Sequence, residues 1–190
     1  MLAGPLWVVL MVLVVAGAAK FRSPSPTASA LEALHVPSPL LAARAMGIAE
    51  VILGIAAALT GSPLLFGLVA ASYAGFTGFI LWALNGNQAE LSCGCFGHED
   101  TPPTVGHAAF NAAAAAIAAL AVTNPISLGD FDGSFVEGAL TAVLTAVAVT
   151  LTIAALTVVP RNHALVRGTA APTAPTFALK SSGSRPRGIS

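Results

Sequence analysis

The sequence predicts an all-α integral membrane protein: a four-helix transmembrane bundle with a fifth transmembrane helix on its C-terminal side. Three observations carry this. Hydrophobic residues make up 56% of the 190 residues and charged residues only 8%, and the mean hydropathy is +0.83, far from the mixture of a soluble domain. The apolar runs are continuous and approach the ~20 residues a helix needs to cross a bilayer, whereas a membrane barrel shows short alternating segments. Aromatic content is only 6% and alanine is abundant, which suits helices whose backbones approach closely in lipid. The formal net charge of zero singles out no class of partner.

The first run, Leu2 to Ala19, ends at Lys20 and Arg22. Its Ala16-Gly17-Ala18-Ala19 stretch has the small residues of a signal-peptidase site, but no Lys or Arg precedes the run as a signal peptide requires. It is therefore read as the first span. Ser23 to Ser29, rich in proline and serine, reads as a connector. Leu31 to Val36 is expected to form a helical turn or two on the surface before Pro37 and Pro39 break it.

The second span runs from about Leu40 to Thr60, closed by Gly61-Ser62-Pro63, and the third from Leu64 to Leu84, closed by Asn85-Gly86-Asn87. The short turn between them predicts an antiparallel hairpin. In the third span Gly67, Ala71, Gly75 and Gly78 recur at helical spacing, a row suited to close packing, with cavity lining as the alternative. The loop from Gln88 to Thr104 follows, and Pro102-Pro103 suits the start of a helix. The fourth span is Val105 to Val122, and the fifth is Phe135 to Val159, ending at Pro160-Arg161. The chain thus divides into a bundle over residues 1–123 with a cysteine loop at 88–104, an additional helix over 124–160, and a basic tail over 161–190. The composition of that tail predicts disorder.

With five spans, every Lys and Arg lies on one side of the membrane, together with the cysteine loop, and the positive-inside rule makes that side cytoplasmic. Stable disulfides are rare there. If the last run does not span, the tail and the cysteine loop fall on opposite sides and the cysteines face outward. Both topologies stay open at this point.

Both cysteines of the chain fall in Cys93-Gly94-Cys95-Phe96-Gly97. A disulfide between residues two apart closes a small ring, and strained or exposed disulfides have the more oxidising potentials. Gly94 removes side-chain bulk from the turn such a ring needs. Because almost no loop is closed, structural stabilisation gives the bridge little to do, and reversible exchange is the better reading. Two inert buried thiols are the plainer alternative, although Ser92, Glu99 and Asp100 mark an exposed loop. A metal site from Cys93, Cys95 and His98 is a third, weakened by a spacing shorter than that of zinc ligands. No phosphate loop, Ser/His/Asp set, nucleic-acid footprint or cofactor motif is visible.

Glu50 sits about ten residues into the second span, near the bilayer middle at ~1.5 Å per residue. An ionised carboxylate there costs at least ~2.5 kcal/mol, so a partner is expected. Gly47 and Gly54 share its helix face, which points it into the bundle. Lys20 is the best-placed cation and Arg44 the next. His107 and Asn111, four apart at the start of the fourth span, share a face and are expected to bond across helices; assistance to the thiols is the sharper reading for His107. Thr141, Thr145, Thr150, Thr152 and Thr157 are expected to bond their own helix backbone or a neighbour.

Lys20 at the end of the first span, Glu50 with Gly54 in the second, Cys93-Gly94-Cys95-Phe96-Gly97 after the third and Asn111 in the fourth together resemble the methylamine utilisation protein MauE family, a group similar to DoxX-type four-helix membrane proteins. The likeness covers roughly residues 6–122 and leaves out the fifth run and the tail. Phe110 departs from it, standing where Arg is expected beside Asn111. The resemblance implies an accessory factor of the cell membrane for maturation of the methylamine dehydrogenase small subunit, a disulfide-rich periplasmic client, acting with a thioredoxin-like redox partner. With two cysteines the chain holds one dithiol at a time, so a partner is required to move electrons onward. The rival reading is a non-catalytic scaffold or small-molecule transporter built on Glu50, Lys20 and the small-residue row.

Overall fold

The computed structural model describes residues 3–86, 103–125 and 135–168, with side chains over 138–158 in the last segment. It is helical throughout: α1 (Ala3–Arg22), α2 (Ser25–Ala33), α3 (Pro39–Thr60), α4 (Pro63–Asn85), α5 (Val105–Thr123) and α6 (Phe135–Gly168). Five of these, all except α2, contain a stretch long and apolar enough to cross a membrane, the last of them over Gly138–Val158. The fold is an all-α, multi-pass membrane protein.

The core is built around α1, half of whose apolar window is buried, against 11% for α6. Leu6, Trp7, Val9, Leu10 and Leu13 of α1 meet Ala57 and Ala58 of α3, Phe66, Val69 and Tyr73 of α4, and Ala114, Ala118 and Ala121 of α5. The alanines of α5 are what let the larger side chains of α4 seat against it. The Tyr73 hydroxyl donates to the Val9 carbonyl at 2.7 Å, tying α4 to α1.

The short turn between α3 and α4 is present: Gly61 adopts φ 62° and its N–H donates to the Ala57 carbonyl, a left-handed stop that glycine makes without strain. Yet these chain neighbours are not the principal packing partners. α1 packs chiefly on α3, and α4 on α5. In lipid there is no hydrophobic force between helices to favour sequence neighbours, so the closest-fitting surfaces decide.

Three further expectations are corrected. The segment Ser23–Ser29 is not a bare connector, because α2 begins at Ser25 with Pro26 in its first turn, where no intrahelical N–H is needed. Its Pro26, Thr27, Ala28 and Ala30 are buried, and its main packing partner is α3. At the other end, the α6 backbone passes Pro160 and stays helical to Gly168, so the expected disorder does not begin at Arg161; one proline removes a single backbone hydrogen bond, which need not end a helix. Finally, the row Gly67, Gly75 and Gly78 is not a packing seam, since a Cβ added at any of the three would meet nothing within 4 Å.

Candidate functional site

Close packing in this molecule lies elsewhere, between α1 and α3. A Cβ on Gly17 would stand 2.6 Å from the Gly47 carbonyl oxygen, one on Gly47 equally close to the Gly17 oxygen, and one on Gly54 2.6 Å from Val14 Cγ2. These contacts pair Gly17 with Gly47 and Gly54 with the Leu10–Val14 turn, an antiparallel register in which the backbones touch. Glu50, on the same face as Gly47 and Gly54, is carried directly against α1.

That register explains the ion pair. Side chains on a helix lean toward its N-terminus, so Lys20, near the C-terminal end of α1, folds back into the bundle and is only 2% exposed. Its Nζ donates to Glu50 Oε2 at 2.8 Å, and Glu50 is 4% exposed. The same ammonium sits 4.7 Å from the centroid of the Phe76 ring on α4, a cation–π contact that offsets part of its lost hydration. Arg44, the other candidate cation, is exposed. Glu50 Oε1 is buried without a hydrogen-bond partner among the described residues.

His107 and Asn111 lie beside this pair. Together with Lys20, Tyr73, Phe76 and Phe110 they line a cavity of about 20 Å³, roughly the room one water needs. Among the described residues their hydrogen bonds lie within α5 and its cap, where bonds across helices were expected. Thr104 caps α5, accepting from the His107 N–H at 3.3 Å, and its hydroxyl pairs with His107 Nδ1 at 2.7 Å. The Asn111 amide donates to the His107 carbonyl at 2.7 Å. At the start of a helix the free backbone N–H groups lie within reach of a capping hydroxyl, which accounts for the Thr104 bond, and an amide four residues on reaches the carbonyl one turn back. His107 Nε2 faces the Leu156 backbone of α6 without a hydrogen bond of good geometry. Phe110 packs edge-on to Tyr73, with ring centroids 6.4 Å apart. On α6, Thr150, Thr152 and Thr157 donate to carbonyls four residues earlier in their own helix.

Cys93, Gly94, Cys95, Phe96, Gly97 and His98 lie outside the described residues. Their flanks are described. α4 ends at Asn85 and α5 starts at Val105, so the loop joins the ends of two helices packed on each other. The structure therefore brings Lys20, Glu50, His107 and Asn111 into one buried polar cluster at the side of the bundle where that loop attaches. Phe76 and Thr104 are members the sequence reading missed. Thr104 carried a usable signal, a helix-capping hydroxyl three residues before His107; Phe76 carried none, because its role depends on α1 lying across α4.

No curated protein and no solved structure was found to match the chain. A family model described as methylamine utilisation protein MauE matches residues 1–124, the segment that holds α1 to α5, the Lys20–Glu50 pair and the cysteine loop. The chain thus belongs to the MauE family, as a multi-pass membrane protein carrying one further apolar helix beyond the family region.

Proposed function

We propose that the protein is a membrane-embedded component of thiol–disulfide exchange that assists maturation of a disulfide-rich client in methylamine metabolism, with Cys93 and Cys95 as the exchanging pair. The observation that carries this reading is the Cys93-Gly94-Cys95-Phe96-Gly97 loop itself, which holds both cysteines of the chain and joins α4 to α5 in a member of this family. In the exchange, a partner thiolate attacks one sulfur of the Cys93–Cys95 disulfide and forms a mixed disulfide, and the other sulfur leaves as a thiolate that takes up a proton. The partner's second thiol then resolves the mixed disulfide. The chain gains two electrons as a dithiol and the partner leaves oxidised. A thioredoxin-like protein is the partner class that fits, and the cell membrane is the proposed location. The polar cluster of Lys20, Glu50, His107 and Asn111 serves as scaffold, holding the helix ends that carry the loop.

The test is a trapping experiment. With Cys95→Ala, Cys93 is expected to accumulate as a covalent adduct with a partner protein, visible on non-reducing gels and released by reductant. No adduct, combined with full maturation activity in the Cys93→Ala, Cys95→Ala double variant, would leave a non-catalytic scaffold as the function.

A further inference from the structure

Beneath α2 lies an open-sided cavity of about 370 Å³, bounded by α2, α3 and α4, with Lys20 and Glu50 among its lining residues. Its volume falls within the roughly 300–1,000 Å³ of small-molecule sites. We propose that it binds a neutral amphipathic molecule carrying a hydroxyl group on an alkyl chain, taken from the surrounding lipid. This site is built from residues outside the cysteine loop, and the proposal does not depend on the exchange chemistry.

Three features define the occupant. The walls are largely apolar, including Leu31 of α2, Leu34 just after it, Met46 and Leu53 of α3 and Phe79 of α4, which suits an alkyl chain. Polar groups come from Lys20, Thr27, Ser72 and Glu50, and of these the Glu50 carboxylate has an oxygen, Oε1, that is buried with no hydrogen-bond partner among the described residues. The terminal torsion of a glutamate is soft, so a small rotation turns this oxygen toward a donor in the cavity. A buried acceptor left unpaired carries a desolvation penalty that such a donor removes. The donor should be uncharged, because Lys20 already balances Glu50 at 2.8 Å, and a second cation would leave the buried cluster with excess charge. The space itself is kept open by the small residues of α4. Ala71 and Gly75 both line it, and a Cβ on Gly75 would meet no atom within 4 Å. The small-residue row of this helix, which at Gly75 packs against none of the described residues, thereby acquires a purpose.

The test is photolabelling of the full-length protein in phosphatidylcholine nanodiscs with a diazirine derivative of hexadecanol, followed by mapping of the labelled peptides. Saturable labelling of the α2 to α4 residues that face the cavity is expected. Hexadecanol should displace the probe at least about tenfold better than hexadecane, the factor one hydrogen bond to a charged acceptor supplies. Gly75→Leu, which fills the space and leaves the ion pair untouched, should abolish labelling without lowering the melting temperature; Ala71→Leu offers the same block should the first variant fold poorly. The paired variant Lys20→Met, Glu50→Met should keep the labelling and lose the preference for the hydroxyl. Labelling that does not saturate, equal displacement by hexadecane, or unchanged labelling after the cavity is filled overturns the proposal and leaves an ordinary lipid-filled crevice. Stronger displacement by hexadecylammonium overturns the neutral donor and assigns the site to a cation.

Discussion

Two rows of small residues run through this molecule, and they do opposite things. On α1 and α3, Gly17, Gly47 and Gly54 bring two backbones so close that an added methyl would stand 2.6 Å from an atom of the neighbouring helix. On α4, Gly67, Gly75 and Gly78 have the same appearance in the sequence, yet a methyl there would meet no atom within 4 Å. A glycine in a membrane helix permits close approach but does not bring it about; a partner surface must be placed against it. In the first row that partner is a second helix, and the contact sets the register that pairs Lys20 with Glu50. In the second row the absence of a side chain leaves open volume.

The difference can be broken by substitution, and the largest effect is expected at the tight row. Gly47→Leu has to displace the α1 backbone, so its cost should exceed the ~1–3 kcal/mol of ordinary overpacking. Loss of the folded monomer on size exclusion in mild detergent is the expected result, and a normal elution profile would show that α1 and α3 are farther apart than described.

The ion pair comes next. Lys20→Met leaves Glu50 buried without its cation, which should destabilise by about 3–5 kcal/mol. Adding Glu50→Met should restore most of that, because no uncompensated charge then remains. Thermal unfolding of the two single variants and the double variant measures the coupling, and additive losses would mean that the two groups do not interact.

A smaller effect is expected where α4 is tied to α1. Tyr73→Phe removes the bond to the Val9 carbonyl and should cost about 1 kcal/mol. The same unfolding assay reads it, and no change would point to a hydroxyl that bonds equally well elsewhere. The smallest effect belongs to the open row. Gly75→Ala should be neutral or stabilising, by up to the ~0.5–1 kcal/mol that separates alanine from glycine inside a helix. Destabilisation by this change would show that some surface covers α4 at that point, and would erase the contrast between the two rows.

Much of the fold was legible because a bilayer restricts what an apolar run can be. A spanning segment must satisfy its own backbone hydrogen bonds, so length and hydropathy suffice to locate helices. The ends of α3, α4 and α5 fall within a residue or so of where Pro63, Asn85 and Val105 place them in the sequence. The first part of α2 escaped notice because Pro24 and Pro26 among serines read as a connector, although proline at the start of a helix is compatible with it. Glu50 announced itself by its cost in lipid, and Lys20 by its position at the end of a span. The part Phe76 plays was not readable, since nothing local marks an aromatic ring that will shelter an ammonium from another helix.

From the sequence by itself came the class of protein, the five runs long and apolar enough to span, the cysteine loop and the need for Glu50 to find a cation. Only the tertiary structure decided which glycines touch, which cation answers Glu50, and that α1 rather than the α3–α4 turn organises the bundle. The physical reason is a difference in range. Burial of an apolar run in lipid is a property of that run, whereas close packing and ion pairing belong to two surfaces at once, and helices that meet in lipid choose one another by fit.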